Sequence, residues 1–204
     1  RIEASEDPLV RRKAPKLVNS ITRAVHLCES TLAFGKAEEP RPTLTVFQLS
    51  DVVGDVVESE RLAVGEHDLQ ISDSIPPLFT LRADPEQLFR VISNLVRNAR
   101  QVIVQSGQSG TIDIRAEEGA DNWIIDVIDT GPGLPPKARE HLFTPFQGGA
   151  RSGGSGLGLA ISAELVRGHG GQLKLERSDE NGTQFRITLP KGDTILSDVL
   201  TTAS

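Results

Sequence analysis

The feature that most constrains the fold is a glycine-rich stretch in the second half of the chain. Between Gln147 and Gly158, six of twelve residues are glycine. Glycine has no Cβ, so such a segment bends freely and lets its backbone approach a ligand closely. The residues that follow, Leu157 to Val166, have the apolar content of a helix. The stretch therefore predicts backbone N–H groups at a helix N-terminus, an arrangement that favours phosphate oxygens.

The composition excludes several classes of protein. The chain has 204 residues, 37% of them hydrophobic, which is enough for the core of one or two domains. A net charge of -6 gives no basic field for nucleic acid, so an anionic ligand must be held by local groups or a metal. No apolar run approaches the roughly 18 residues of a membrane helix. Cys28, the single cysteine, excludes an internal disulfide.

The start of the chain also bears on its location. It begins at Arg1 without Met and carries no recognisable targeting segment. We expect a fragment of a longer protein, in the cytoplasm or as the cytoplasmic part of a membrane-anchored bacterial sensor.

The first 40 residues predict a helix followed by a linker. The apolar residues of the predicted helix, 7–36, are spaced by three and four, namely Leu17, Val18, Ile21, Ala24, Val25, Cys28 and Leu32. One helix cannot shield such a stripe, so it either packs on the following domain or forms half of a helical hairpin in a dimeric four-helix bundle. Residues 37–43 are charged and contain two prolines, as linkers do. We divide the chain into this segment (1–40), a compact domain (41–192) and a polar tail (193–204).

The compact domain predicts an α+β fold. Strands are predicted over residues 44–49, 69–72, 78–82, 111–117, 123–129, 172–177 and 184–189, the last two joined by a turn at Asn181-Gly182-Thr183. Helices are predicted from a cap at Ser50-Asp51 to about 64, from Asp84-Pro85-Glu86-Gln87 to about 105, over 136–141 and over 157–167. This order predicts about three helices on one mixed sheet of at least five strands, a two-layer α/β sandwich.

The helix predicted from Pro85 has two contrasting faces. One is apolar, with Leu88, Val91, Leu95, Ala99 and Val102, and another is polar, with Gln87, Arg90, Asn94, Asn98, Gln101 and Gln105. Asn94 and Asn98 are four residues apart and point the same way. Taken alone, this polar face predicts a solvated surface, and it gains interest if another motif faces it.

Five motifs in order resemble the N, G1, F, G2 and G3 boxes of sensor histidine kinases. They are Asn94-x-x-x-Asn98, Asp129-x-Gly131-x-Gly133, Phe143-x-x-Phe146, Gly154-x-Gly156-x-Gly158 and Gly182-Thr183. The resemblance covers residues 43–190 as the ATP-binding catalytic domain, which has the Bergerat fold. Residues 7–36 look like the second helix of the family's dimerisation and histidine-phosphotransfer domain. This implies a homodimer through that helix and the receiver domain of a response regulator as partner.

The resemblance implies a role for each matched residue. Asp129 would accept a hydrogen bond from the adenine amino group, and Thr183 would lie near adenine. Asn98 would bind Mg²⁺ through its amide oxygen with help from Asn94, so these two are the expected catalytic residues. The other residues expected to bind ATP are Gly131, Gly133, Phe146, Arg151, Gly154, Gly156, Leu157 and Gly158.

The residue four positions before the metal asparagine helps to choose the reaction. In ATP-hydrolysing members of the superfamily a glutamate there orients the attacking water. Here the position is Asn94, an amide without basicity, which suits transfer to another nucleophile better than hydrolysis. The implied function is transfer of the γ-phosphoryl group of Mg·ATP to a histidine. A catalytically silent nucleotide-binding or dimerisation scaffold and a serine kinase of the anti-sigma type stay open as alternatives.

Two features depart from the family pattern. The family often has a lysine three residues after the metal asparagine, but Gln101 stands here, and Arg97, Arg100 or Arg151 could replace the missing charge, with Arg151 preferred. No histidine has the phosphoacceptor pattern of a following acidic residue and a later proline. His26 is expected to be an ordinary interface or surface residue, so we expect the acceptor histidine on a helix upstream of Arg1.

Overall fold

The computed structural model describes residues 40–65, 67–145 and 156–192. The predicted helix at 7–36 and tail at 193–204 lie outside the described residues, as do Phe146, Arg151 and Gly154. No helix in the described ranges is long and apolar enough to cross a membrane.

Seven strands and four helices make up the described part of the chain. The strands are β1 (Thr45–Gln48), β2 (Leu69–Ser74), β3 (Thr80–Ala83), β4 (Gly110–Glu118), β5 (Asn122–Asp129), β6 (Gln172–Asp179) and β7 (Gly182–Pro190). The helices are α1 (Leu49–Leu62), α2 (Pro85–Ser106), α3 (Pro136–Glu140) and α4 (Gly158–Gly168).

Five of these strands form the main sheet, in the order β2-β4-β5-β7-β6. β2 and β4 run parallel, and the other neighbours are antiparallel. β1 and β3 form a separate antiparallel ribbon. With helices on one mixed sheet of five strands, the predicted two-layer α+β class is confirmed.

The hydrophobic core lies between the helices and one face of the main sheet. Along β5, Ile125 and Val127 point to the helices and are buried, and the α2 residues Leu88, Ile92 and Leu95 pack in the same core. The opposite sheet face is polar, and there Arg186 donates two hydrogen bonds to Asp126, at 2.8 and 2.7 Å. Because side chains alternate along a strand, Asp129 continues the Ile125 and Val127 row and points toward the helices.

The start of α2 agrees with the capping pattern read in the sequence. Asp84 is the N-cap, its Oδ1 accepts the Gln87 N–H at 3.0 Å, and Pro85 occupies the first position. The helix ends at Ser106 and is followed by the C-cap Gly107, whose left-handed φ of 70° suits glycine.

Two predicted boundaries were wrong by a few residues. α1 begins at Leu49, before the predicted Ser50-Asp51 cap, and its N-cap makes no side-chain bond. The Leu49 N–H instead bonds to the Phe79 carbonyl, so a tertiary contact fixes this helix start. In the last hairpin the strands extend further than predicted, so that Gly182 and Thr183 lie in β7 and the turn is formed by residues 180–181.

Candidate functional site

A buried carboxylate marks one end of the candidate site. Asp129, the last residue of β5, is 7% exposed and lies opposite Thr183 in the β5–β7 register. Its Oδ1 accepts the N–H of Gly131 at 2.8 Å, and the Thr183 N–H and hydroxyl also bond to the carboxyl group. The two residues predicted to face adenine are thus in direct contact.

Burial raises the pKa of Asp129 above its ordinary value of 3.8. The hydrogen bonds from Gly131 and Thr183 and the charge of Arg177 act in the opposite direction but do not cancel the effect of burial. The carboxylate is therefore oriented by neighbouring donors in a place that largely excludes water, which suits an acceptor for a ligand N–H group.

Two glycines let the backbone pack closely around Asp129. Gly133 has φ 71°, and a Cβ there would meet the Asp179 carbonyl. Gly182 has φ 130°, and a Cβ there would meet the carbonyl of Asp129. The loop after β5 and the β6–β7 hairpin therefore lie backbone against backbone, so a side chain at either position would separate them.

The same loop also packs on the last turns of α2. A Cβ added to Gly131 would lie 3.3 Å from Cγ1 of Ile103 and 3.7 Å from Cγ1 of Val102. The Asp129 end of the site is thus adjacent to the C-terminal part of α2.

The other end of the site is formed where α2 meets the start of α4. Asn94 is 7% exposed, and its Nδ2 donates to Ser162 Oγ at 3.0 Å while its Oδ1 accepts from Arg97 Nη2 at 3.1 Å. A Cβ on Gly158 would collide with the Asn94 amide. The solvated surface that the helix pattern alone predicts is wrong at Asn94, because this amide joins α2 to α4.

The start of α4 is built from backbone rather than from a polar cap. The N-cap is Leu157, whose side chain is fully buried and makes no cap hydrogen bond. Gly156, just before it, has a left-handed φ of 69°. Since the Leu157 side chain points into the protein, only its backbone can face a ligand, as expected of a phosphate site at a helix N-terminus.

Asn98 lies midway between these two ends. It is one helical turn from Asn94 and about one turn from Val102, so roughly 6 Å of helix axis separates it from each. It is half-buried, and within the described ranges no hydrogen bond to its side chain is found. Its amide oxygen is therefore available to a cation.

The donor set suits Mg²⁺ held jointly with phosphates. In the described part of the chain no three His, Cys, Asp or Glu residues come close enough to hold a metal by themselves. Mg²⁺ commonly uses one or two protein oxygens together with substrate phosphates, and Asn98 provides such an oxygen.

The arginines proposed to replace the missing lysine have different surroundings in the structure. Arg100 points away from the site, because its Nε lies 2.7 Å from Glu60 Oε2 on α1 and its Nη1 donates to the Ala63 carbonyl. Arg97 lies beside Asn94. Arg151, preferred from the sequence, is outside the described residues.

One buried residue that connects the two helices of the site was missed by the sequence analysis. His169 is 7% exposed, its Nε2 accepts the Asp84 N–H at 3.0 Å, and its Nδ1 lies 2.8 Å from the Leu165 carbonyl. These partners assign the proton to Nδ1. His169 therefore ties the end of α4 to the start of α2, whereas the Gly-His-Gly-Gly sequence indicates only a turn.

Comparison with known proteins identifies a family that matches these residues. The family of histidine kinase-, DNA gyrase B- and HSP90-like ATPases matches residues 83–193, which include all the described residues of the site. The sensor histidine kinase ZraS of Salmonella typhimurium is 33% identical over 150 residues, 72% of this chain. The chain spans 31% of the length of that relative.

Solved structures share the fold. The full-length kinase ShkA in complex with AMPPNP has a TM-score of 0.76 and 25% identity, over 93% of this chain and 40% of that one. The histidine kinase ThkA in complex with the response regulator protein TrrA has a TM-score of 0.72 and 25% identity, over 92% of this chain and 53% of that one.

Proposed function

Because the chain belongs to the family of histidine kinase-, DNA gyrase B- and HSP90-like ATPases, as the catalytic domain of a sensor histidine kinase, we propose that it transfers the γ-phosphoryl group of Mg·ATP to a histidine. The acceptor is proposed to lie on a helix outside this chain, from which a response regulator would receive the phosphoryl group.

The observation that carries this proposal is the alignment of three groups along α2. Asp129 adjoins its C-terminal turns, the start of α4 adjoins Asn94, and Asn98 lies between them. About 12 Å of helix axis separates Asn94 from Val102. An extended ligand with a base at one end and phosphates at the other fits this order of partners.

Each end of the site has a defined chemical task in this proposal. Asp129, held by Thr183, accepts a hydrogen bond from the adenine amino group, and Gly131 and Gly133 let the backbone approach the base. The backbone of Gly156, Leu157 and Gly158 donates to phosphate oxygens at the positive end of α4. Phe146, Arg151 and Gly154 are proposed to complete this end.

Asn98 is proposed as the protein ligand of Mg²⁺. When bound, the cation would neutralise charge on the phosphate oxygens. Asn94 holds the beginning of α4 in position and offers no base for water, which favours phosphoryl transfer over hydrolysis. The competing scaffold hypothesis is favoured by Gln101, since one expected positive charge is missing there.

The partners are proposals drawn from relatives. The complex of ThkA with TrrA supports a response regulator as partner. We further propose a homodimer through residues 7–36, a cytoplasmic location, and no contact of this chain with nucleic acid or membrane.

Calorimetry with a non-hydrolysable ATP analogue tests the binding part of the proposal. We expect Mg²⁺-dependent binding to the unmodified chain, loss of binding in Asp129→Ala, and loss of the Mg²⁺ dependence in Asn98→Ala. Absence of binding in the unmodified chain would favour the scaffold.

Phosphoryl transfer is tested with the full-length protein and Mg·ATP. Acid-labile phosphohistidine that disappears in Asn98→Ala is the expected product. Acid-stable phosphoserine on a partner would support the anti-sigma type of kinase.

A further inference from the structure

The phosphate end of the proposed site needs positive charge from nearby side chains. The chain has a net charge of -6, so its overall field repels a nucleoside triphosphate. Gln101 provides none, and Arg100 is already paired with Glu60. Among the described residues, the attraction therefore needs another positively charged side chain close to the start of α4.

Arg97 lies where such a cation is needed. Its Nη2 is 3.1 Å from Asn94 Oδ1, and the Asn94 amide is in turn the group that a Cβ on Gly158 would strike. The guanidinium is thus separated from the first residue of α4 by a single amide group. It is partly buried, and in the described part of the chain no carboxylate lies within ion-pair distance of it.

Only one of the guanidinium nitrogens is used by Asn94. An arginine has five N–H donors in a planar fork, so the donors on Nε and Nη1 can bind a phosphate oxygen while Nη2 keeps its bond to Asn94. The Asn94 oxygen in turn fixes the direction of the arginine side chain. Such a fixed guanidinium loses little conformational entropy when an anion arrives.

We infer that Arg97 is a phosphate-binding side chain of this site, held in place by the side-chain oxygen of Asn94. It contacts the terminal phosphates and supplies the charge that Gln101 lacks. This inference rests on the proposed ATP site.

The test compares ligands with and without phosphates. A non-hydrolysable ATP analogue, titrated by calorimetry with Mg²⁺, should bind Arg97→Ala at least tenfold more weakly than the unmodified chain. Adenosine, titrated by NMR chemical shifts, should bind both within twofold. Arg97→Lys keeps a charge without the planar fork and should recover part of the loss.

Arg115→Ala is the matched control, because it removes the same charge from the polar face of the sheet, where Arg115 pairs with Asp113. It should change neither affinity by more than twofold. Circular dichroism checks that each variant is folded. Where Arg97→Ala is unfolded, Arg97→Lys replaces it in the test and should bind the ATP analogue more weakly than the unmodified chain does, with adenosine binding unchanged.

Three outcomes overturn the inference. Unchanged affinity of Arg97→Ala for the ATP analogue removes Arg97 from the site. An equal loss for the analogue and adenosine assigns it a purely structural role through Asn94. In these two cases the proposed function still stands if the unmodified chain binds the ATP analogue and Asp129→Ala does not. The third outcome is an unmodified chain that binds neither ligand, which overturns both the inference and the proposed function.

Discussion

At the scale of single residues, Asp129 is subject to two opposing effects. It is proposed to act as an ionised acceptor, yet its burial raises its pKa. The folded protein therefore holds a proton on Asp129 more strongly than the unfolded chain does. The free energy of unfolding falls as pH rises from about 3.8 through the raised pKa, because the charged form is disfavoured only in the folded state.

Asp129→Asn should therefore separate stability from binding. The amide oxygen can still accept backbone N–H groups, and the amide NH2 can donate to the Thr183 hydroxyl in place of accepting from it. Because the buried charge is removed, the free energy of unfolding at pH 7 should equal or exceed that of the unmodified chain. This difference should shrink as pH falls toward 4, measured by urea unfolding across that range. Affinity for the ATP analogue should fall about 10- to 100-fold, since a hydrogen bond to a charged group contributes about 1.5–3 kcal/mol.

The exposed Asp73 on β2 provides the control for this substitution. Asp73→Asn should leave the free energy of unfolding within about 0.5 kcal/mol and leave nucleotide binding unchanged. A loss of stability in Asp129→Asn that grows with pH would contradict the assignment of the raised pKa.

The sequence predicted Asp129 and Thr183 individually but not their contact. Motif order singled out both residues, whereas the strand register that places them opposite each other depends on hairpin length, and the predicted turn was misplaced. Asn94 was likewise singled out by its motif, but the solvated surface predicted for it was wrong, because it is buried and bonded to Ser162, 68 residues away. Spacing along one helix contains no information about such partners.

At the scale of elements, the contact between α2 and α4 requires a residue without a Cβ at position 158. Alanine normally stabilises a helix relative to glycine by about 0.5–1 kcal/mol. At Gly158 the added Cβ would displace the Asn94 amide. Gly158→Ala should therefore destabilise the domain by about 1–3 kcal/mol in urea unfolding, as overpacking does, and weaken nucleotide binding.

Gly54 in α1 is the matched control for that prediction. No atom lies within 4 Å of a Cβ added there, so only helix propensity applies. Gly54→Ala should raise the free energy of unfolding by about 0.5–1 kcal/mol. Equal stabilisation by both substitutions would show that Asn94 and α4 can move apart at little cost.

His169 provides the second connection between the same two helices. His169→Ala would leave the Asp84 N–H without its partner, at a cost of about 1–3 kcal/mol where water does not reach this buried group. The Leu165 carbonyl would lose the ring N–H but keep the backbone N–H of residue 169, at 3.3 Å. We expect a lower midpoint of urea unfolding and faster hydrogen exchange of the Asp84 amide. The exposed His141, at the end of α3, is the control, and His141→Ala should change stability by less than about 0.5 kcal/mol. A similar, small effect of both substitutions would remove His169 from the structural role.

At the scale of the whole molecule, periodicity and capping predicted the two-layer fold because they depend on local sequence. The pattern at Asp84-Pro85-Glu86-Gln87 predicted the start of α2 for this reason. The separation of β1 and β3 from the main sheet could not be predicted, since strand pairing is set by contacts between distant segments. The ion pair of Arg100 with Glu60, 40 residues earlier, belongs to the same class.

The linker that precedes the domain is bonded to the start of α2, where His169 also bonds. The Thr43 N–H donates to Asp84 Oδ2 at 2.9 Å, and Gln87 Nε2 donates to the Pro40 carbonyl at 2.9 Å. The linker is thus bonded to the first turn of α2, the helix that carries Asn94 and Asn98. Since His169 bonds to the same cap residue, the linker, α2 and α4 share one set of hydrogen bonds.

Gln87→Ala should loosen the linker without affecting the nucleotide site. Loss of one hydrogen bond, about 0.5–1.5 kcal/mol, should speed exchange of the Thr43 amide by roughly two- to tenfold. Hydrogen exchange followed by NMR measures this, while affinity for the ATP analogue should stay within twofold. Gln105→Ala, at the exposed end of α2, should change neither quantity. Unchanged exchange at Thr43 in Gln87→Ala would mean that Asp84 alone holds the linker, whereas a parallel loss of nucleotide affinity would mean that the linker bond also positions Asn94 and Asn98.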